Sequence, residues 1–301
     1  MQRLVAWWWV LVPLVAAGEL GRHHQIDAAV PDDAAWRAAA RTVRRGFRDG
    51  DLVVVAPEWA AQVARPHLGE RLQPLEDVAR ADTARFGRLW VLSIREARAP
   101  EEEGARPDGA WAHGRVTVRR LRLPEPARVH FDFVRALHRA RVAVVRAGVE
   151  TPCPFVRAAR GIGGGKFRCD PRQDWNHVGV EVLDDLDRRP RLGIWAHPVR
   201  GATVAIKYAD VPMGERLDGH MGLRYEAAKR LEHGPVHLRV RVGERSHGPF
   251  IERDGDSWKA FSIDTRALAG RRALVRFEVT APDPAMRHFY FAAEARSGGR
   301  P

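Results

Sequence analysis

Two kinds of hydrophobic pattern divide the chain. Between Asp32 and Phe47 the apolar residues Trp36, Ala39, Ala40, Val43 and Phe47 recur on one face at helical spacing, with Asp32 or Asp33 as cap and Gly50 as stop. Asp51–Ala56 is a continuous apolar run, the pattern of a strand buried on both faces. Pro57-Glu58-Trp59 opens another helix, and Leu75, Val78, Ala79 and Phe86 carry a further helical pattern. Leu89–Ile94 is a second buried strand. A strand, a long helical crossover and a strand predict a parallel pair, so residues 27–97 read as a small three-layer α/β unit.

Beyond it the texture changes. Residues 99–110, rich in Glu, Gly and Pro, read as a linker or exposed loop. Val116–Leu123 and Val129–Phe133 are strand-like, and 134–145 fits a short helix or a strand. Residues 98–175 are therefore expected to be linker and connecting strands. From residue 176 strand signals come at near-regular spacing: Val178–Leu183, Leu192–His197, Thr203–Tyr208, Gly222–Glu226, Val236–Val242, Trp258–Ile263, Leu274–Thr280 and His288–Glu294. Strict alternation puts Val236, Leu238, Val240 and Val242 on one face and His237, Arg239 and Arg241 on the other. The expected fold is α+β: the α/β unit, then an antiparallel β-sandwich of jelly-roll type over 176–297.

Composition narrows the class. With 45% hydrophobic residues the chain can bury a core, and with 29% charged residues and no long apolar run it is not a polytopic membrane protein. Residues 1–18 have the layout of a secretory leader: Arg3, the apolar run Leu4–Ala17 with three tryptophans, then small residues where a peptidase can cut. The segment reads as a signal peptide or, uncleaved, as a short anchor touching the membrane, and Arg3 orients the rest outside the cytoplasm. The expected location is the periplasm or the outer face of the cytoplasmic membrane. The net charge of +12 is spread evenly along the chain, and all but four of the 50 basic residues are arginine, so nucleic acid is not the expected partner.

Export makes a disulfide the natural state of Cys153 and Cys169, which enclose a glycine-rich loop with little regular structure expected. Gly161–Lys166 resembles a phosphate loop only superficially, because Arg160 and Phe167 stand where its first glycine and its hydroxyl residue belong.

Ile194–Pro198, His220–Leu223, Val236–Val242, Trp258–Thr265 and Phe289–Ala293 resemble, in order, the strand series of galactose-binding-like domains, the jelly rolls of carbohydrate-binding modules. That resemblance implies a carbohydrate ligand. Gly50–Trp59 and the helix after it are faintly similar to soluble tail segments of membrane glycosyltransferases, which implies such an enzyme as a partner without its activity. The candidate ligand site is Asp174-Trp175-Asn176-His177, a flat ring among groups able to bond sugar hydroxyls, with His197 and His220 near strand ends. The alternative is that Trp175 plugs the sandwich and Asn176 makes a turn. No metal or cofactor is expected: the histidines lack ligand spacing, and Asp254-Gly255-Asp256 is first a turn signal. Without a G-x-S-x-G elbow, the reading is a non-catalytic envelope protein that binds a glycan or a partner, accessory to glycan or lipid-linked sugar metabolism. The alternative is a glycan-active hydrolase or transferase with paired carboxylates near Asp174.

Overall fold

The computed structural model describes residues 5–28, 30–158, 162–170, 172–230 and 233–299. Arg3, Arg160 and Gly161 lie outside them. The chain divides into two compact units, Met1–Pro74 with Gly87–Leu123, and Leu75–Phe86 with Pro124–Pro301.

In the first unit α1 (Val5–Ala28) continues past residue 18, where the leader pattern ends. Among the described residues no helix is long and apolar enough to cross a membrane. Helix α2 (Asp33–Gly46) is capped by Asp32, whose Oδ1 accepts from Ala35 N at 2.7 Å, and it buries Trp36, Ala39, Ala40 and Val43 as its spacing requires. Strand β1 (Asp51–Ala56), helix α3 (Ala61–Leu68) and strand β2 (Arg88–Ile94) follow, and β1 pairs with β2 in parallel, as expected. Two features differ from the sequence reading. The stretch taken as a linker forms β3 (Arg106–His113), which pairs with β4 (Val116–Arg122) and completes a sheet of order β1-β2-β4-β3. Both helices bury their apolar residues with one face of that sheet, through Val53, Val55, Trp90, Leu92, Val116 and Val118. No second helical layer is seen there among the described residues, so the unit has two layers rather than three.

The second unit begins with a helical turn, α4 (Leu75–Val78), where a longer helix was expected. Its strands are β5 (Arg128–Asp132), β6 (Arg141–Arg146), β7 (Val149–Pro152), β8 (Phe155–Arg157), β9 (Gly165–Arg168), β10 (His177–Asp184), β11 (Pro190–Ala196), β12 (Thr203–Pro212), β13 (Arg216–Leu223), β14 (Val236–Val242), β15 (Arg245–Glu252), β16 (Lys259–Asp264), β17 (Arg272–Thr280) and β18 (Phe289–Ser297). Eight strands form one sheet, ordered β16-β13-β18-β11-β10-β9-β8 with β5 also on β18; six form the other, ordered β15-β14-β17-β12-β6-β7. The two sheets enclose a common core of alternate residues such as Val178, Ile194 and Phe291 from one and Ile206, Leu238 and Phe277 from the other, with the Phe277 and Phe291 rings 4.9 Å apart. Each such side chain contributes about 1.5–3 kcal/mol by leaving water. This is the α+β fold with an antiparallel sandwich that the pattern predicts, but the sandwich starts near residue 124, not 176.

Three further differences are local. Residues 225–228 form a helical turn, α5 (Tyr225–Ala228), instead of the end of a strand. The Cys153–Cys169 loop is a small hairpin, β8 against β9, and the disulfide closes it with Cα atoms 4.5 Å apart. Asp254-Gly255 is a turn, but it leads from β15 to β16 in the opposite sheet and so does not make a hairpin.

Candidate functional site

Side chains alternate across a strand, so the residues between the core positions of the eight-stranded sheet point outward. On that outer face rings and glycines share rungs. Gly179, Trp195, Tyr290 and Gly222 stand side by side on β10, β11, β18 and β13. A Cβ at Gly179 would come 3.3 Å from the His177 ring, one at Gly193 3.0 Å from Tyr290, and one at Gly222 3.1 Å from Trp258. The glycines make room for the rings to lie along the sheet.

Two ring groups result. In the first, Trp195 lies 5.8 Å from His177, 6.0 Å from His197 and 5.4 Å from His288, and the Trp175 ring sits 4.5 Å from His197. In the second, Trp258 stacks between His220 at 5.8 Å and Tyr290 at 5.0 Å. His220 therefore does not join His177 and His197, and among the described residues no cluster of three or more His, Cys, Asp or Glu side chains is arranged to hold a metal.

The loop that carries Trp175 is fixed from three sides. The disulfide anchors it at Cys169, whose N–H donates to Asn176 O at 3.1 Å. Trp195 Nε1 donates to Trp175 O at 3.0 Å, and His177 Nδ1 donates to Asp174 O at 2.6 Å while its Nε2 lies 2.6 Å from Glu181 Oε1. Asn176 is buried and closes the turn through its backbone N–H to Gln173 O. Trp175 is not a plug: 44% of it is exposed, and the Asp174 carboxylate beside it reaches solvent, 3.2 Å from Arg168 Nη2. Of the six sequence candidates, then, Asp174 and Trp175 form the surface, Asn176, His177 and His197 back it from below, and His220 lies elsewhere.

Trp195 is buried as the sequence suggests, but on the outside of its sheet, not in the core between the sheets. His288 and Tyr290 were missed, because only the register of β18 against β11 brings them to Trp195. Burial pushes His197 down to about 4, with the positive charges near it adding to the effect. It is therefore neutral at physiological pH, and Nδ1 donates to Pro198 O at 2.8 Å. His288 is likewise lowered by burial.

Around His220, residues 76–86 cover the same face. Trp258 Nε1 donates to Ala81 O at 3.1 Å and Leu192 N to Ala79 O at 2.6 Å. A cleft beneath them holds about 40 Å³, room for a few waters and too little for a sugar ring. Of its carboxylates Asp77 is raised by burial, while three others are held by arginines. Asp132 and Glu294 bind Arg85; Asp82 and Glu294 bind Arg296 at 2.8 and 2.6 Å. Burial pushes Asp82 up, but Arg296, helped by His220 and the Ala84 N–H, leaves the carboxyl below the usual range. A glycosidase acid needs the opposite shift from that of Asp82.

No family model matches the chain, and no curated protein matches it. Among solved structures the chain is similar to the CBM51 module of a Clostridium perfringens GH95 protein in complex with methyl-galactose, at 11% identity over 39% of this chain and 79% of that one, TM-score 0.28. It is also similar to the CBM51-2 and INT domains of ZmpB from the same organism, at 12% identity over 68% and 43%, TM-score 0.33. A third is the tandem CBM51 modules of Sp3GH98, a family 98 glycoside hydrolase from Streptococcus pneumoniae, at 11% identity over 62% and 55%, TM-score 0.30. This chain spans less than two thirds of the last two. These three are carbohydrate-binding-module structures, the class that the strand series resembles, and the glycosyltransferase likeness of Gly50–Trp59 and the helix after it is not shown. At these scores they carry no argument about ligand or residues; the fold reading stands on the two sheets described above.

Proposed function

We propose that the second unit is a carbohydrate-binding module of an exported protein, non-catalytic and accessory to envelope glycan metabolism, with Trp175 as its stacking platform. The observation that carries the reading is the state of that ring. Of the three tryptophans in its unit it alone is exposed, yet its backbone is tied to Trp195 and its ring rests on neutral His197. A rigid indole presents a flat face to the C–H side of a pyranose with little entropy to lose on binding. Asp174 supplies acceptors for hydroxyls at the ring's edge. The surface is shallow, so affinity is weak. Export is supported by the leader pattern of residues 1–18 and by the disulfide, which belongs to an oxidising compartment.

A glycan array run beside thermal melts tests the site. Trp175→Ala is expected to abolish glycan binding and leave the melt unchanged. A wild-type protein that binds no glycan, or a Trp175→Ala variant that melts as early as Trp195→Ala, overturns the reading. A reporter active only outside the cytoplasm, fused after Pro301, tests export and is expected to be active.

A further inference from the structure

The second face of the sandwich carries a different chemistry. On the outside of the six-stranded sheet Arg241 stands opposite Arg276, Arg276 opposite Lys207, and Lys207 opposite Arg141. Four cations thus occupy one rung across β14, β17, β12 and β6. With strands about 4.8 Å apart, the row is about 14 Å long. Arg239 adds a fifth charge two residues from Arg241 on the same face of β14. Like charges directly opposite each other destabilise a sheet.

Two carboxylates lie against the middle of the row, and one of them, Glu278, also stands opposite Arg239 across the strands. Glu150 lies 2.6 Å from Lys207 Nζ and 3.5 Å from Arg276 Nη1, and Glu278 lies 2.8 Å from Arg276 Nε. Arg141, Arg239 and Arg241 are exposed, and among the described residues no ion pair holds them. The charge that is even along the sequence is gathered in space.

We infer that this face is a docking surface for a linear acidic polysaccharide, a polyuronate laid across the strands along the row Arg241–Arg276–Lys207–Arg141. Charge complementarity selects a polyanion, and guanidinium forks match carboxylates in pairs of hydrogen bonds. The surroundings select among polyanions. The same face offers Ala143, Ala205 and Thr280 beside the row, with His237 opposite Thr280 as a small ring and no outward Trp, Tyr or Phe among the described residues, so it lacks a platform for stacking successive bases. Among the described residues of this face Leu274 is the one exposed large apolar side chain, which gives a lipid surface little to embed. The surface belongs to the opposite sheet from Trp175 and does not depend on the stacking site.

The test is binding of the full chain to immobilised alginate, with dextran as the neutral polymer, over a series of salt concentrations. The wild type is expected to bind alginate and not dextran, with affinity falling steeply with salt. R141S/R239S/R241S is expected to lose roughly tenfold or more and to flatten the salt dependence by about one power per removed charge. R37S/R98S/R200S removes three exposed arginines elsewhere and is expected to retain binding, as is Trp175→Ala, whose neutral-glycan binding fails separately. Equal losses in the two arginine triples reduce the effect to net charge and overturn the proposal. So does tighter binding to duplex DNA or phosphatidylglycerol vesicles than to alginate at the same salt, or no alginate binding.

Discussion

The two sheets of the sandwich share one inner face and have unlike outer faces. Inside, both supply Val, Ile, Leu and Phe at every second position. Outside, the eight-stranded sheet carries His177 packed on Trp195, and His220 and Tyr290 packed on either side of Trp258. The six-stranded sheet carries Arg141, Lys207, Arg239, Arg241 and Arg276, of which three are exposed and have no ion pair among the described residues. Alternation is satisfied equally well by either outer row, so the fold constrains the inner residues and leaves the outer ones to other demands. On the ring face stability and binding draw on the same atoms. On the cationic face they are separate. Substitutions should therefore have opposite signatures on the two faces.

The largest effect is expected at Trp195. Truncation to Ala leaves a hole among His177, His197 and His288 and strips the donor from Trp175 O. A loss of about 3–5 kcal/mol is expected, read as the shift of a denaturation midpoint. A loss below about 1 kcal/mol would mean that the rings are a surface layer and would erase the contrast with the arginines.

Next comes the disulfide. Replacing Cys153 and Cys169 by Ser frees a loop of about 15 residues, worth about 3 kcal/mol in the chain-entropy model. Because Cys169 also anchors the Trp175 loop, glycan binding should weaken below the melt while alginate binding stays. Loss of both together would show that the faces are not independent. Thiol counting on denatured, unreduced wild-type protein is expected to find none free.

The third effect is a dependence on pH. Glu252, at the end of β15, is fully buried, and both its carboxylate oxygens lack a hydrogen-bond partner among the described residues. Burial raises it to about 8, with Lys259 opposing and Asp256 adding to the rise. A carboxyl raised in the folded state holds its proton where the unfolded chain has lost it. Stability is therefore full below the unfolded value, near 4.5, and is lost as pH climbs towards 8. Buried His197, lowered to about 4, has the opposite sign: its contribution is lost as pH falls from 6.5 to 4. Between 4.5 and 6.5 the two partly cancel. From pH 6.5 to 8 the Glu252 effect is the one of the two that remains, and it is expected to contribute a decline of roughly 1.5–2 kcal/mol in urea titrations. Glu252→Gln should flatten that limb; an unchanged slope would show that Glu252 is not its source.

What the sequence made legible follows from how far each signal reaches. Helix α2, strand β1 and the alternation of β14 are local patterns facing one core, and they appear where the periodicity put them. The edge strand β3 escaped because it has one neighbour and mostly exposed side chains, so Pro107 and Gly109 read as loop. Residues 75–86 followed a helical pattern but join the second unit, held by partners more than a hundred residues away such as Trp258 and Leu192. Trp175 could be chosen because its neighbours are polar. His288 and the four-cation rung could not, since each depends on register between distant strands, and charge counted along the chain hides charge gathered across it.

The smallest expected effect has an unusual sign. Arg241→Thr removes one cation from the rung beside Arg276 and puts a β-branched residue on a pleated surface. No ion pair is lost, because Arg241 has none among the described residues, and no core contact changes, because it points away from Val240 and Val242. What remains is relief of repulsion, a gain of about 0.2–1 kcal/mol. The gain should shrink in 1 M salt, where the screening length falls to about 3 Å, below the strand spacing. Melts of wild type and Arg241→Thr at low and high salt measure both halves. A destabilised variant would mean that the arginine stem covers apolar surface and that the cationic face, like the ring face, ties stability to its side chains. A stabilised one, paired with weaker alginate binding, would show this rung kept at the expense of the fold.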